Sequence, residues 1–136
     1  MRLAVAAALG SLVLTVPALA ATTDGATATF SGSTLSLKLH YLMTCGHPGP
    51  GPLSVTLPAG VVIGSLHATV NSKAAPVSHS GRTIQVTLAK PPGVTCMSIA
   101  VGTLRVSIEG LHADSGTYAV TAQVNHHSFR TSFRVG

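Results

Sequence analysis

Acidic side chains are scarce in this chain, which has only Asp24, Glu109 and Asp114 among its 136 residues. Glycoside hydrolysis by general acid–base catalysis needs two carboxylates placed across a cleft, and these three scattered acids form no evident pair. The sequence also lacks a Gly-x-Ser-x-Gly nucleophile motif and a glycine-rich phosphate loop. We therefore predict that the protein is not an enzyme and uses no cofactor.

Aromatic residues are few as well, since tryptophan is absent and Phe and Tyr together number five. Nucleic-acid binders gather their basic residues into a stripe, often with aromatic residues interleaved. Here the basic residues are scattered singly along the chain. No nucleic-acid partner is predicted, because nothing concentrates the charge that phosphate binding requires. Contact with an anionic cell-wall polymer or a lipid headgroup is an open alternative that rests only on the positive net charge of the chain.

Long apolar runs are missing except at the start of the chain. Arg2 precedes Leu3–Val16, an uncharged stretch of 14 residues that is shorter than the roughly 20 residues of a membrane-spanning helix. Ala18 and Ala20 then supply the small-x-small pattern that signal peptidase cleaves. The pattern predicts a signal peptide at residues 1–20 and a single secreted domain at 21–136, extracellular or associated with the cell surface and without a transmembrane anchor.

Alternation of apolar and polar residues dominates the rest of the sequence. It is clearest in Thr34–Tyr41 and Thr103–Glu109, and no segment shows an apolar stripe of helical period. Gly- and Pro-containing turns separate the segments, and Asn125–Ser128 is predicted as a hairpin tip. We predict an all-β domain of about eight or nine strands, an antiparallel β-sandwich with Greek-key connections. A single closed sheet is the alternative.

One short motif resembles a known family. Asp114, Gly116 and Tyr118 lie in the segment DSGTY, which is similar to the D-x-G-x-Y motif of immunoglobulin variable-type domains. The resemblance implies a tyrosine corner, in which the Tyr hydroxyl bonds to the backbone of the preceding loop. Two departures are that Val120 stands where the family has cysteine and that no tryptophan is present.

A broader stretch, from Leu53 to Val124, is similar to secreted bacterial immunoglobulin-like modules. It shares with them three features in the same order: a Leu-Pro-Ala-Gly strand end, a hairpin around Val70–Leu88 and a final Gly-Thr-Tyr segment. The resemblance implies an immunoglobulin-like sandwich that acts as a surface spacer or an adhesive unit, without catalytic residues.

The two cysteines, Cys45 and Cys96, each follow a threonine beside a predicted strand. Exported proteins commonly oxidise such a pair, so we predict a disulfide between them. In the chain-entropy treatment, closing a loop of about 50 residues stabilises the fold by about 4 kcal/mol.

A metal site is the competing hypothesis. Met43, Cys45 and His47 alternate along one segment, which would place them on the same side of an extended strand. Thioether, thiolate and imidazole are ligands that copper prefers. His126 and His127, at the predicted hairpin tip, could supply further ligands for copper or zinc. The seven histidines are otherwise predicted as surface residues, with His40 and His67 on the outward faces of their strands.

These observations together predict a secreted, non-enzymatic binding, adhesive or structural module. Its partner is an unknown protein or cell-surface polymer. We expect any ligand surface in the loop at residues 46–52, together with the chain around Cys96, or at the hairpin tip, residues 125–128. The alternative function is a small exported copper- or zinc-binding protein.

Overall fold

The computed structural model of the chain describes residues 25–44, 47–89 and 99–136. The proposed signal peptide and both cysteines lie outside these described residues. Within them the chain forms ten strands: β1 (Gly25–Ser31), β2 (Thr34–Thr44), β3 (Gly51–Thr56), β4 (Val61–Val70), β5 (Lys73–Ala75), β6 (Val77–Ser80), β7 (Thr83–Leu88), β8 (Ile99–Ala113), β9 (Gly116–Val124) and β10 (His127–Val135).

The strands form two antiparallel sheets of five strands each. The first, sheet A, has the order β1-β2-β8-β4-β5, and the second, sheet B, has the order β10-β9-β3-β7-β6. Strands that are distant in sequence, such as β2 and β8, are therefore neighbours, as Greek-key wiring requires. The predicted immunoglobulin-like β-sandwich is confirmed, and the single closed sheet is not what forms.

The core lies between the two sheets and is entirely apolar among the described residues. Alternating positions supply the core, as predicted. In β2, Leu35, Leu37 and Leu39 are buried, whereas Lys38 and His40, which point to the opposite face, are exposed. Each sheet can bury only one face in this way, so the second sheet is what covers the apolar face of the first.

A bulge bends the pairing of β4 with β8. The register shifts between Ile63, which pairs with Leu111, and His67, which pairs with Glu109. Gly110 lies opposite the extra residues with a φ of +99°, and a Cβ there would overlap the carbonyl oxygen of Ser65. Because only glycine fits this position, the bulge is built into the sequence.

Pro76 explains why the structure has more strands than we predicted. The segment around Pro76 is divided between two strands, because β5 ends at Ala75 in sheet A and β6 begins at Val77 in sheet B. Proline cannot donate to a ladder, so the chain leaves one sheet there and joins the other. The described residues include no helix long and apolar enough to span a membrane.

Candidate functional site

Three large apolar side chains are exposed together at one end of sheet A. Leu42 is 44% exposed, Val101 is 44% exposed and Ile99 is 68% exposed. Leu42 and Val101 are directly paired across β2 and β8, and Ile99 lies two residues along β8 on the same face. Cross-strand partners of this kind have Cβ atoms about 5 Å apart, so the three side chains form one surface. We call these three residues the apolar patch.

The apolar patch lies on a two-stranded part of sheet A. β1 pairs with β2 only as far as His40, and β4 pairs with β8 only as far as Val106. In the part of the chain that the structure describes, β8 is therefore the only strand that pairs with β2 beyond His40. Tyr41 and Met43 alternate with the patch and are buried on the inward face. The patch is thus held by a ladder and by core side chains beneath it.

Polar rows follow the apolar patch along the outer face of sheet A. His40 is paired with Thr103, and its Nδ1 shares a hydrogen bond of 2.8 Å with the Thr103 hydroxyl. In the next outward-facing row Lys38 is paired with Arg105, and both side chains are exposed. We call Lys38 and Arg105 the cation pair. The face therefore changes along the strands from apolar to positively charged.

The two loops expected to carry a ligand surface lie side by side. Asn125, in the β9–β10 hairpin tip, donates a hydrogen bond of 2.8 Å from Nδ2 to the carbonyl oxygen of Pro48. This contact joins the described residues of the first loop, 47–52, to the hairpin tip at the end of the sandwich where β2 ends and β8 begins. That these loops carry a ligand surface stays a prediction, and the apolar patch, which the sequence did not indicate, lies at the same end.

The metal hypothesis expects Met43, Cys45 and His47 on one side of an extended strand, and Cys45 lies outside the described residues. β2 ends at Thr44. The His47 amide donates a hydrogen bond of 2.9 Å to the Thr44 carbonyl. The Met43 side chain is buried in the core, whereas His47 is partly exposed.

Among the described residues, the hairpin histidines are not grouped with other metal ligands. His126 is exposed at the tip, whereas the ring of His127 packs on Tyr41, with 4.8 Å between ring centroids, and stacks on Phe129. Within residues 25–44, 47–89 and 99–136, no three His, Asp or Glu side chains converge on a common point. The copper or zinc alternative has no described arrangement to support it.

The residues of the immunoglobulin-like motif lie at the opposite end of the sandwich. The Tyr118 hydroxyl donates a hydrogen bond of 2.7 Å to the backbone carbonyl of Asp114, which is the contact that the family resemblance implies. The Tyr118 ring lies between Gly60 and Gly116, where a Cβ on Gly60 would come within 3.1 Å of it. These residues fix a corner of the fold and do not form part of the apolar patch.

The residues of the apolar patch lie in sequence segments that do not alternate between apolar and polar residues. Tyr41-Leu42-Met43 and Ile99-Ala100-Val101 are runs of consecutive apolar residues inside otherwise alternating strands. Such a run indicates that both faces of a strand are apolar. In β2 only the face of Tyr41 and Met43 is covered by the core, whereas Ile99, Ala100 and Val101 in β8 are all exposed.

One of the solved structures similar to this chain supports the fold. No protein-family model matches the chain, and no curated protein matches it. Among solved structures, the chain is similar to BslA, described as a bacterial hydrophobin, with a TM-score of 0.51 and 21% identity over 84% of this chain and 98% of that one. It is also similar to a non-cellulosomal cohesin from Archaeoglobus fulgidus, with a TM-score of 0.43 and 11% identity over 84% and 91% of the chains. A third similar structure is ACE19, the collagen-binding subdomain of an Enterococcus faecalis surface protein, with a TM-score of 0.43 and 5% identity over 82% and 96%.

Proposed function

We propose that this protein is a secreted, non-enzymatic adhesive module that attaches to apolar surfaces through the apolar patch. The observation that carries the proposal is the grouping of Leu42, Ile99 and Val101 on one outward face. Single exposed apolar residues are common on soluble proteins and need no explanation. Neighbouring ones on one surface are typical of interaction sites.

The fold itself does not require apolar residues at these positions. The core is completed by inward-facing neighbours, among them Tyr41, Met43 and Leu104, which are at most 3% exposed. A serine or threonine in place of Leu42 would face water and leave that packing intact. The apolar character of the patch is therefore explained better by binding than by folding.

The described surface is also suited to adhesion because it is rigid. β2 and β8 are paired without interruption, from the pair Thr34–Glu109 at one end to the pair Thr44–Ile99 at the other. Side chains presented by a paired ladder lose little conformational freedom when they bind, which lowers the entropic cost of attachment. The fold is shared with a protein described as a bacterial hydrophobin, and a role at surfaces is consistent with that likeness.

Export is the second part of the proposal. Residues 1–20 have the charged start, apolar run and small-x-small site of a signal peptide, so the working protein begins at Ala21. N-terminal sequencing of protein recovered from the medium or the cell surface tests this part. A product that still begins at Met1 would contradict it.

Adsorption to two coated surfaces tests the adhesive role. We would measure adsorbed mass on alkyl-coated and hydroxyl-coated sensors for the wild type and for the double variant Leu42→Ser, Val101→Ser. The matched control is Val62→Ser, because Val62 is 62% exposed but pairs with His112 at the far end of β8. Thermal unfolding of each variant checks that the fold is unchanged.

The double variant should need a concentration higher by about tenfold or more to half-saturate the alkyl surface, because two half-exposed aliphatic side chains are lost. Val62→Ser should behave like the wild type. Equal loss in both variants, or no preference of the wild type for the alkyl surface, would show that the patch is not the attachment site.

A further inference from the structure

The cation pair is a charged feature that the fold does not neutralise. Lys38 and Arg105 are direct cross-strand partners, an arrangement in which like charges repel and destabilise the sheet. No ion pair joins either of them to a carboxylate in the described residues. Glu109, the nearest acid along β8, is four residues from Arg105, about 13 Å at the usual rise of a strand. Two adjacent positive charges thus remain available to an anion.

Hydroxyl groups surround the cation pair. A shallow depression on the outer face of sheet A is lined by Thr27, Ser36, Lys38, Arg105 and Ser107, among others. Arginine, lysine and hydroxyl groups are the side chains that most often donate hydrogen bonds to phosphate oxygens. The lining therefore favours an anion with several oxygen acceptors, such as a phosphate diester.

The backbone of Arg105 is held firmly in this position. Its amide donates to the side-chain oxygen of Asn71 at 3.0 Å, and its carbonyl accepts from the Asn71 amide at 2.7 Å. Asn71 lies in the tight turn between β4 and β5, with a φ of 49°. The charged row is consequently as well fixed relative to the ladder as the apolar patch is.

The spacing of the two features matches a lipid surface. Leu42 is four residues from Lys38 along β2, and Val101 is four residues from Arg105 along β8, which corresponds to about 13 Å. Apolar side chains of interfacial proteins enter a bilayer by about 5 to 10 Å, to the boundary between headgroups and acyl chains. Groups about 13 Å behind them along the strands then lie at the level of the phosphates.

We infer that the protein docks on anionic lipid surfaces with the apolar patch inserted below the headgroups and the cation pair on lipid phosphates. The inference rests on the proposed function, since it takes the apolar patch as the attachment site and names the surface that the patch meets. A second copy of the chain is a poorer occupant, because it carries the same net positive charge, +5 over the full sequence, and would repel the cation pair where an anionic surface attracts it.

Vesicle co-sedimentation tests the inference. Partitioning of the full mature chain would be compared on phosphatidylcholine vesicles with and without phosphatidylglycerol. The test variant is Lys38→Gln, Arg105→Gln. The control, Arg130→Gln, Arg134→Gln, removes the same net charge from exposed positions of β10, in the other sheet.

The wild type should partition more strongly to the anionic vesicles, and added salt should weaken this preference. The test variant should lose about thirtyfold, because each basic residue near an anionic lipid surface contributes on the order of fivefold. The control variant should lose much less. Equal losses in the test and control variants would mean that only net charge matters, and this would overturn the inference.

Two further measurements separate the other occupants. Soluble glycerophosphate should not displace the protein from vesicles, and complete displacement would indicate a site for free phosphate esters instead. Sedimentation of the wild type should give a monomer, whereas a dimer abolished by Leu42→Ser, Val101→Ser would assign the patch to a second copy. Adsorption to alkyl surfaces without any preference for anionic vesicles would overturn this inference alone and leave the proposed function standing.

Discussion

The hydroxyl of Tyr118 donates a hydrogen bond of 2.7 Å to the backbone carbonyl of Asp114, four residues earlier in the chain. The ring of Tyr118 also stacks on Phe133, with 5.6 Å between centroids, and Phe133 in turn stacks on Phe30 across the two sheets. The corner before β9 is therefore tied to the aromatic contacts that join β10 to β1.

The first prediction separates the two residues of this hydrogen bond. Tyr118→Phe should lower the free energy of unfolding by about 1 kcal/mol, because it removes the donor and leaves the ring packing intact. Asp114→Ala should change it by less than about 0.5 kcal/mol, because Asp114 accepts through its main chain, which alanine keeps. Urea unfolding measures both values. A larger decrease in the free energy of unfolding for Asp114→Ala would show that the Asp114 carboxylate stabilises the corner.

Tyr41 gives the second prediction. It is fully buried, and no described residue provides a hydrogen-bond partner for its hydroxyl. An unpaired buried hydroxyl costs stability, so Tyr41→Phe should raise the free energy of unfolding at neutral pH by about 1 kcal/mol. Thermal or urea unfolding measures the change. A decrease of similar size would mean that the hydroxyl has a stabilising partner.

The same residue predicts a dependence on alkaline pH. Burial raises the pKa of Tyr41 to about 12, above the ordinary tyrosine value of 10.0. The unfolded chain then loses this proton at lower pH than the folded chain does, so the contribution to stability is complete below pH 10 and falls as the pH rises towards 12. The wild type should lose about 2 to 3 kcal/mol relative to Tyr41→Phe over that window. A constant difference between the two proteins would contradict this.

The bulge between β4 and β8 supplies the fourth prediction. Gly110→Ala should lower the free energy of unfolding by more than about 3 kcal/mol, because the new Cβ would overlap the Ser65 carbonyl and the φ is left-handed. Gly32→Ala is the matched control, since Gly32 also has a positive φ, +63°, but open space around it. Its cost should be about 1 to 2 kcal/mol. Similar costs for both variants would show that the contact relaxes freely.

The disulfide remains a prediction, because Cys45 and Cys96 lie outside the described residues. The described residues nearest to the cysteines support it. Thr44, which precedes Cys45, is the partner of Ile99, three residues after Cys96, in the β2–β8 ladder. The intact mass of the mature protein should be lower by two hydrogens than that of the reduced form. Reduction should lower the free energy of unfolding by about 4 kcal/mol. An unchanged mass on reduction would show that the thiols are free.

Much of the fold follows from local pattern. Alternation alone identifies the inward faces of β2, β7 and β8, since Leu35, Ile84 and Leu104 are fully buried. The length of β8 could not be predicted in this way, because Gly102 and Gly110 resemble strand breaks in the sequence. Each is accommodated by non-local pairing, Gly102 opposite Tyr41 and Gly110 in the bulge.

The candidate site was less predictable, for a related reason. Alternation assigns Leu42 to the outer face of β2, but no local pattern encodes whether another part of the chain covers that face. Met43 and Leu42 are adjacent and similar in polarity, yet Met43 is buried and Leu42 is 44% exposed. His47 and Pro48 are likewise held by hydrogen bonds, to Thr44 and to Asn125 of the hairpin tip, that no local pattern predicts.

Side-chain footprinting with hydroxyl radicals tests the central claim most directly. Oxidation rates of individual aliphatic residues would be compared for the protein in solution and adsorbed on alkyl-coated beads. We predict that adsorption slows the oxidation of Leu42, Ile99 and Val101 several-fold and leaves Val62 unchanged. Protection of Val62 instead, or no protection of the other three, would contradict the assignment of the apolar patch as the attachment surface.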